Sequence, residues 1–245
     1  MKGQATPLQT KFRGDKRASK RTSSKSIVSP KLRVIAPNGP PAFTSPLLFV
    51  ISAPSGGGKT TLCQQLLASR PEMTRAITCT TRPPRPNEKD GVDYYFLDDK
   101  TFLKRVQAGH FLEHATVYGN SYGTLRSEVL DKLRGGKDVL LNIDVQGAAS
   151  VRECVDRDED LGRACISVFL TPPSLEILKA RLKKRGQDSP EVIRKRLSVA
   201  RQEIAQWKHF DYLIISTTIK EDLRRMIAIV EAERMRQCRA KAPEF

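Results

Sequence analysis

Apolar residues in this chain gather into short continuous runs separated by segments of helical spacing. Leu47-Leu48-Phe49-Val50-Ile51, Val139-Leu140-Leu141-Asn142-Ile143, Cys165-Ile166-Ser167-Val168-Phe169-Leu170 and Tyr212-Leu213-Ile214-Ile215 are almost free of polar positions. A strand with one wet face alternates, so runs of this kind predict strands buried on both faces of a parallel sheet. Helical patterns lie between and after them, from Lys59 to about Ser69 and over roughly 146–155, 174–184, 190–206 and 220–238. Strands alternating with helices predict an α/β fold with a doubly wound parallel sheet.

Residues 75–125 break this rhythm. They hold short aromatic, strand-like pieces (Tyr94 to Leu97 and Phe111 to Tyr118) and one helical pattern near 99–108. The pattern predicts an inserted α+β region, about 78–125, beside the first strand–helix unit. Residues 1–45 carry no core pattern and are expected to form a disordered basic tail ahead of a domain at 46–235.

Charge sharpens that boundary. The chain of 245 residues has a net charge of +16, and ten basic side chains with a single acid, Asp15, fall within the first 45. The domain itself is only moderately basic, which suits phosphorylated ligands and requires no nucleic acid. The tail can be read as a plain solvated segment, an organellar transit peptide or a weak nucleic-acid-binding arm. No apolar stretch is long enough to span a membrane and no secretory signal is visible, so a cytoplasmic location is expected. The five cysteines are odd in number and widely spaced, which argues for a reducing compartment.

The strongest chemical signal is Ala53-Pro54-Ser55-Gly56-Gly57-Gly58-Lys59-Thr60-Thr61, set between the first strand and a helix. Gly58-Lys59-Thr60 fits the end of the G-x-x-x-x-G-K-[ST] phosphate loop, with Ala53 in place of the first glycine. Backbone N–H groups of such a loop cradle phosphate at a helix N-terminus. Lys59 reaches the β- and γ-phosphates of ATP, and the Thr60 hydroxyl serves Mg²⁺. In Thr80-Thr81-Arg82-Pro83-Pro84-Arg85-Pro86 the prolines hold the chain extended, so that Arg82 and Arg85 can converge on a second anion. The three histidines, His110, His114 and His209, lack metal-ligand spacing.

Together these segments resemble the guanylate kinase family of the bacterial type, a P-loop NTPase fold. The resemblance also rests on Gly91-Val92-Asp93-Tyr94-Tyr95-Phe96, Phe111-Leu112-Glu113-His114-Ala115, Tyr118-Gly119-Asn120-Ser121-Tyr122-Gly123-Thr124, Ile143-Asp144-Val145-Gln146-Gly147-Ala148 and Arg185-Gly186-Gln187-Asp188-Ser189. It runs in family order from about 47 to 240. It implies transfer of the ATP γ-phosphate to GMP, with Mg²⁺, by a monomer or homodimer. It further implies that Arg82, Arg85, Tyr94 and Tyr122 hold the GMP phosphate. Thr78, Glu113, Thr124 and Asp144 then read guanine, and Arg181, Arg185 and Arg196 act from a lid at about 184–196. A carboxylate at Glu113 is chemically apt, because guanine presents N1–H and N2–H₂ donors on one edge. Two departures stand out: Asn142-Ile143-Asp144 where the family has Asp-x-Asp, and Ser216-Thr217-Thr218 where it often has Asn-Asp-Asp. The reading competes with a P-loop kinase for a sugar phosphate and with a non-catalytic module of the same fold; the intact Gly58-Lys59-Thr60 opposes the second.

Overall fold

The structure is a computed structural model that describes residues 45–239, apart from Tyr118, Gln187, Asp188 and the side chains of Val117 and Arg185. The tail expected over 1–45 lies outside the described residues except for Ser45.

The apolar runs form the central sheet. Strand β1 (Leu48–Ser52) is buried at every position and lies between β7 (Asp138–Asn142) and β8 (Cys165–Thr171). β2 (Met73–Arg75) pairs outside β7, and β9 (Tyr212–Ile215) outside β8. All four pairings are parallel. The inner strands β7, β1 and β8 are covered on both faces, as the continuous apolar pattern requires. β9, expected to be equally buried, is an edge strand with only Ile214 buried and Leu213 and Ile215 exposed. Phe49 and Ile51 pack with Leu62 and Leu66 of α1 (Lys59–Ser69) and with Met226 and Val230 of α8 (Ile219–Arg234). Leu48 and Val50 face Val129 of α3 (Arg126–Arg134), Val151 of α4 (Val145–Val155) and Leu161 of α5 (Glu159–Ala164).

The expected insertion is a second, four-stranded sheet. β3 (Thr78–Thr80) lies between β4 (Tyr95–Phe96) and β6 (Asn120–Leu125), and β5 (Phe111–Val117) pairs outside β6. Helix α2 (Asp99–Gln107) covers it through Phe102, which stacks on Phe111 at 4.5 Å between centroids. α6 (Leu175–Arg185) and α7 (Pro190–Ala205) form a separate pair joined by Leu178, Leu182, Ile193 and Ala200. Side-chain caps start these helices: Ser174 accepts from Ile177 N, and Ser189, followed by Pro190, accepts from Val192 N.

The structure departs from expectation at three other places. β2 was not expected, because a three-residue edge strand with one buried side chain, Met73, leaves little pattern. The helix expected to 206 stops at Ala205 and continues as a 3₁₀ turn, Gln206–His209. α8 ends at Arg234 and not near 238, because Arg234 turns inward to a buried partner. Among the described residues no helix is long and apolar enough to cross a membrane.

That partner is Asp138, at the start of β7. Its Oδ2 accepts from Arg234 Nη2 at 2.6 Å and its Oδ1 from the Leu47 N–H at 2.9 Å. One carboxylate therefore ties α8 to the entrances of two central strands. Asp138→Ala removes the closest partner of a buried guanidinium, leaving it Glu72 at 3.5 Å, and is expected to cost about 3 kcal/mol in urea unfolding. A loss under about 1 kcal/mol would show that Arg234 finds water instead.

Candidate active site

β1 ends at Ser52 and the chain turns through Ala53–Gly58 into α1. Gly57 N–H donates to the Pro54 carbonyl at 2.8 Å, closing the turn. Gly58 caps the helix with φ 101°, a conformation that side chains with a Cβ resist. Ala53, standing where the motif has its first glycine, is buried in the core cluster with Leu62 and Cys63. The first-turn N–H groups of α1, at Lys59, Thr60 and Thr61, have no acceptor within the helix, as at any helix start.

Around this turn lies a cavity of about 260 Å³ lined by residues 53–61 together with Asp144 and Glu203. Lys59 Nζ donates to the Ile143 carbonyl at the end of β7. Burial pulls its ammonium below the ordinary lysine range, against the raising influence of Cys63, Asp144, Glu203 and Glu113. Asp144 caps α4, its Oδ1 accepting from Gly147 N–H at 2.8 Å. Glu203, on α7, accepts from Ser55 N–H.

Arg181 on α6 reaches the same turn. Its Nη1 donates to the Gly57 carbonyl at 3.3 Å and its Nη2 to Ser216 Oγ at 3.1 Å. Ser216 in turn donates to the buried Asp222 at 2.6 Å. Ser216, at one of the departures noted above, thus anchors Arg181. Arg196 is half-buried on α7, and Arg185 closes α6.

A second cavity, about 190 Å³, opens between the two sheets. Thr60, Gln64, Thr78, Tyr94, Thr124 and Asn142 are among its walls. Thr60 lines both cavities. The strand register sets Thr78 of β3 opposite Thr124 of β6, and Thr124 opposite Glu113 of β5. Three residues distant in sequence thereby form one row. Thr124 Oγ1 donates to Glu113 Oε1 at 2.7 Å. Glu113 is 6% exposed, and burial pushes its carboxyl above the ordinary glutamate range, with the nearby Asp144 charge adding. Gly147 makes room for it, since a Cβ there would stand 3.1 Å from Glu113 Oε2.

The arginine rail is pre-ordered. Arg82 makes two bonds to Glu88, at 2.9 and 2.8 Å, and lies 5.5 Å over the Tyr94 ring. Tyr94 meets Tyr122 edge-on at 6.3 Å. Glu88 also accepts from the Arg85 N–H at 2.8 Å, while Arg85 itself stays exposed. Arg82, Tyr94 and Tyr122 therefore cluster. Glu88 and Glu203 were not singled out from the sequence, and Ser216 was noted there only as a departure from the family pattern. Their partners lie 6, 148 and 35 residues away, and no helical or strand spacing signals such pairs.

These walls offer one cavity at a helix start, with Arg181 bonded to its Gly57 carbonyl, and a second, polar cavity whose wall residue Thr124 bonds the buried Glu113. Comparison with known proteins agrees with that arrangement. The guanylate kinase family model matches residues 45–233. A guanylate kinase of Coxiella burnetii is 45% identical over 190 residues, covering 78% of this chain and 89% of that protein. One from Alkalilimnicola ehrlichii is 46% identical over 189 residues, covering 77% and 90%. The crystal structure of guanylate kinase from Anaplasma phagocytophilum matches with a TM-score of 0.62 at 33% identity, covering 81% of this chain and 92% of that one.

Proposed function

The chain belongs to the guanylate kinase family, which moves the ATP γ-phosphate to GMP to give ADP and GDP, and from that premise we propose how its own residues divide the work. Residues 53–61 receive the ATP triphosphate, with Lys59 supplying the charge nearest the transferring group. Thr78, Thr124, Glu113 and Asp144 read guanine, and Arg82, Arg85, Tyr94 and Tyr122 hold the GMP phosphate. Arg181, Arg185 and Arg196 counter developing charge when the lid, about 184–196, closes over it. The domain extends over 46–235.

The observation that carries this reading is that Thr60 borders both cavities. Donor loop and acceptor pocket therefore meet at one residue, as in-line transfer between two bound nucleotides requires. Little covalent chemistry falls to the protein. The acceptor phosphate oxygen is already a nucleophile, so positioning and charge dominate. Arg82, held by Glu88 over Tyr94, keeps a planar fork ready for phosphate oxygens.

A magnesium ion fits the donor set. Thr60 offers a hydroxyl in the wall of the donor cavity, and a hydroxyl is a hard oxygen donor. Among the described residues no group of three or more His, Cys, Asp or Glu could cage a metal alone, which suits an ion that arrives with the nucleotide. The Thr60 hydroxyl would help hold such an ion, which would supply positive charge against the phosphates. We place the reaction in the cytoplasm, in keeping with five separate thiols, by a monomer or homodimer that needs no nucleic acid.

An acceptor panel in a coupled ADP-release assay tests the guanine assignment. Turnover with GMP is expected to exceed that with AMP by about 10⁴-fold in kcat/KM, because adenine leaves the buried Glu113 acceptor unpaired. Equal turnover with AMP would remove the Thr78–Thr124–Glu113 row from base recognition.

A further inference from the structure

One contact at the phosphate loop is made by neither nucleotide chemistry nor the loop itself. Glu203 Oε2 accepts from the Ser55 N–H at 3.2 Å, joining residues 148 apart. Phosphate loops owe their function to free amides, yet here the Ser55 amide is bonded to a side chain from α7. The Gly57 amide is likewise bonded, to Pro54. The helix-start amides of Lys59, Thr60 and Thr61 have no acceptor within the helix.

The same helix pair holds the loop at a neighbouring point. Arg181 of α6 donates to the Gly57 carbonyl, and α6 and α7 are cemented by Leu178, Leu182, Ile193 and Ala200. The loop is therefore gripped at Ser55 by its N–H and at Gly57 by its carbonyl. We propose that Glu203 is a positioning residue for phosphoryl transfer, which fixes the phosphate loop against the α6–α7 pair through the Ser55 N–H. Loop and Arg181 then keep one geometry relative to each other while the 184–196 segment closes.

The role needs an acceptor oxygen and not a negative charge. Burial holds Glu203 above the ordinary glutamate range, and the Asp144 charge works in the same direction, while the Ser55 bond and Lys59 oppose it. A second carboxylate facing an incoming triphosphate is a cost to ATP binding, so a neutral isostere separates the two effects.

This inference rests on the assignment of residues 53–61 to the ATP triphosphate. The test measures kcat and both KM values for the full chain carrying Glu203→Ala or Glu203→Gln, with thermal unfolding as the check on folding. Glu203→Ala is expected to lower kcat about tenfold, since small misplacements of reacting groups are costly, with the KM for GMP within about twofold. Glu203→Gln keeps an oxygen for Ser55 and is expected to restore kcat to within about twofold, with a KM for ATP no higher than that of the parent. Parental kcat in Glu203→Ala would overturn the proposal. So would a Gln variant as impaired as Ala, or a loss shared equally by kcat and both KM values. Lys59→Ala, measured alongside, tells the two failures apart. If it is silent, the loop assignment has failed; if it is inactive while Glu203→Ala is parental, only the role of Glu203 has.

Discussion

Lys59→Ala is expected to lower turnover by about 10³-fold or more while leaving GMP affinity within about twofold. The ammonium sits at the start of α1, in the wall of the cavity shared by the loop, Asp144 and Glu203. It is the charge placed to meet phosphate there, and it acts where burial has already stripped much of its water. Preorganised charge of this kind does not reorganise during the reaction, which makes its removal expensive. The guanine row and Arg82 lie on other elements, so acceptor binding survives. Steady-state turnover and calorimetric titration with GMP check both halves. A variant that keeps a tenth of parental turnover would remove Lys59 from the transferring phosphate.

Glu113→Gln is expected to lower kcat/KM for GMP by about 10²- to 10³-fold and to leave the weak activity with AMP unchanged or raised. A carboxylate accepts from both guanine donors. Gln offers one oxygen and turns an amide donor toward the other, leaving a donor opposed to a donor. The substitution is nearly isosteric, and Thr124 can still donate to the remaining oxygen, so the strand register is expected to hold.

The same site predicts a pH effect of definite sign. Burial raises the Glu113 pKa, so its carboxyl takes up a proton at a higher pH than a solvated glutamate. Guanine recognition needs the ionised form. The KM for GMP therefore rises as pH falls through this raised value, and the acid limb disappears in Glu113→Gln. For folding, the cost of the buried carboxylate is absent at low pH and appears as pH rises through that value. The Gln variant is accordingly expected to be at least as stable as the parent at neutral pH. Loss of GMP activity together with an unchanged acid limb would assign the titration to another group.

Much of the fold was legible because burial on both faces leaves an unbroken apolar run. β1, β7 and β8 are such runs in the central parallel sheet, whereas the run in edge strand β9 buries only Ile214. Local chemistry was equally legible. Gly58-Lys59-Thr60 announces a phosphate loop by spacing alone, between a buried strand and a helix. β2 was not legible, because its strand character comes from pairing with β7. Residues 126–134 and 159–164 were likewise not picked out as helices, being short and largely charged.

By itself, then, the sequence determined the sheet and the phosphate-loop motif, while the groups proposed for guanine and the GMP phosphate came from its family resemblance. The sheet and the motif depend on neighbours within one turn of helix or a few strand positions. Tertiary structure decided which groups meet. It set Thr78, Thr124 and Glu113 in one row through antiparallel register, and placed Thr60 between two cavities. It also brought Glu203 to Ser55 and Ser216 to Arg181. Each of these is a contact between elements whose relative placement follows from the packing of the sheets and helices as a whole, and no period along the chain encodes that distance.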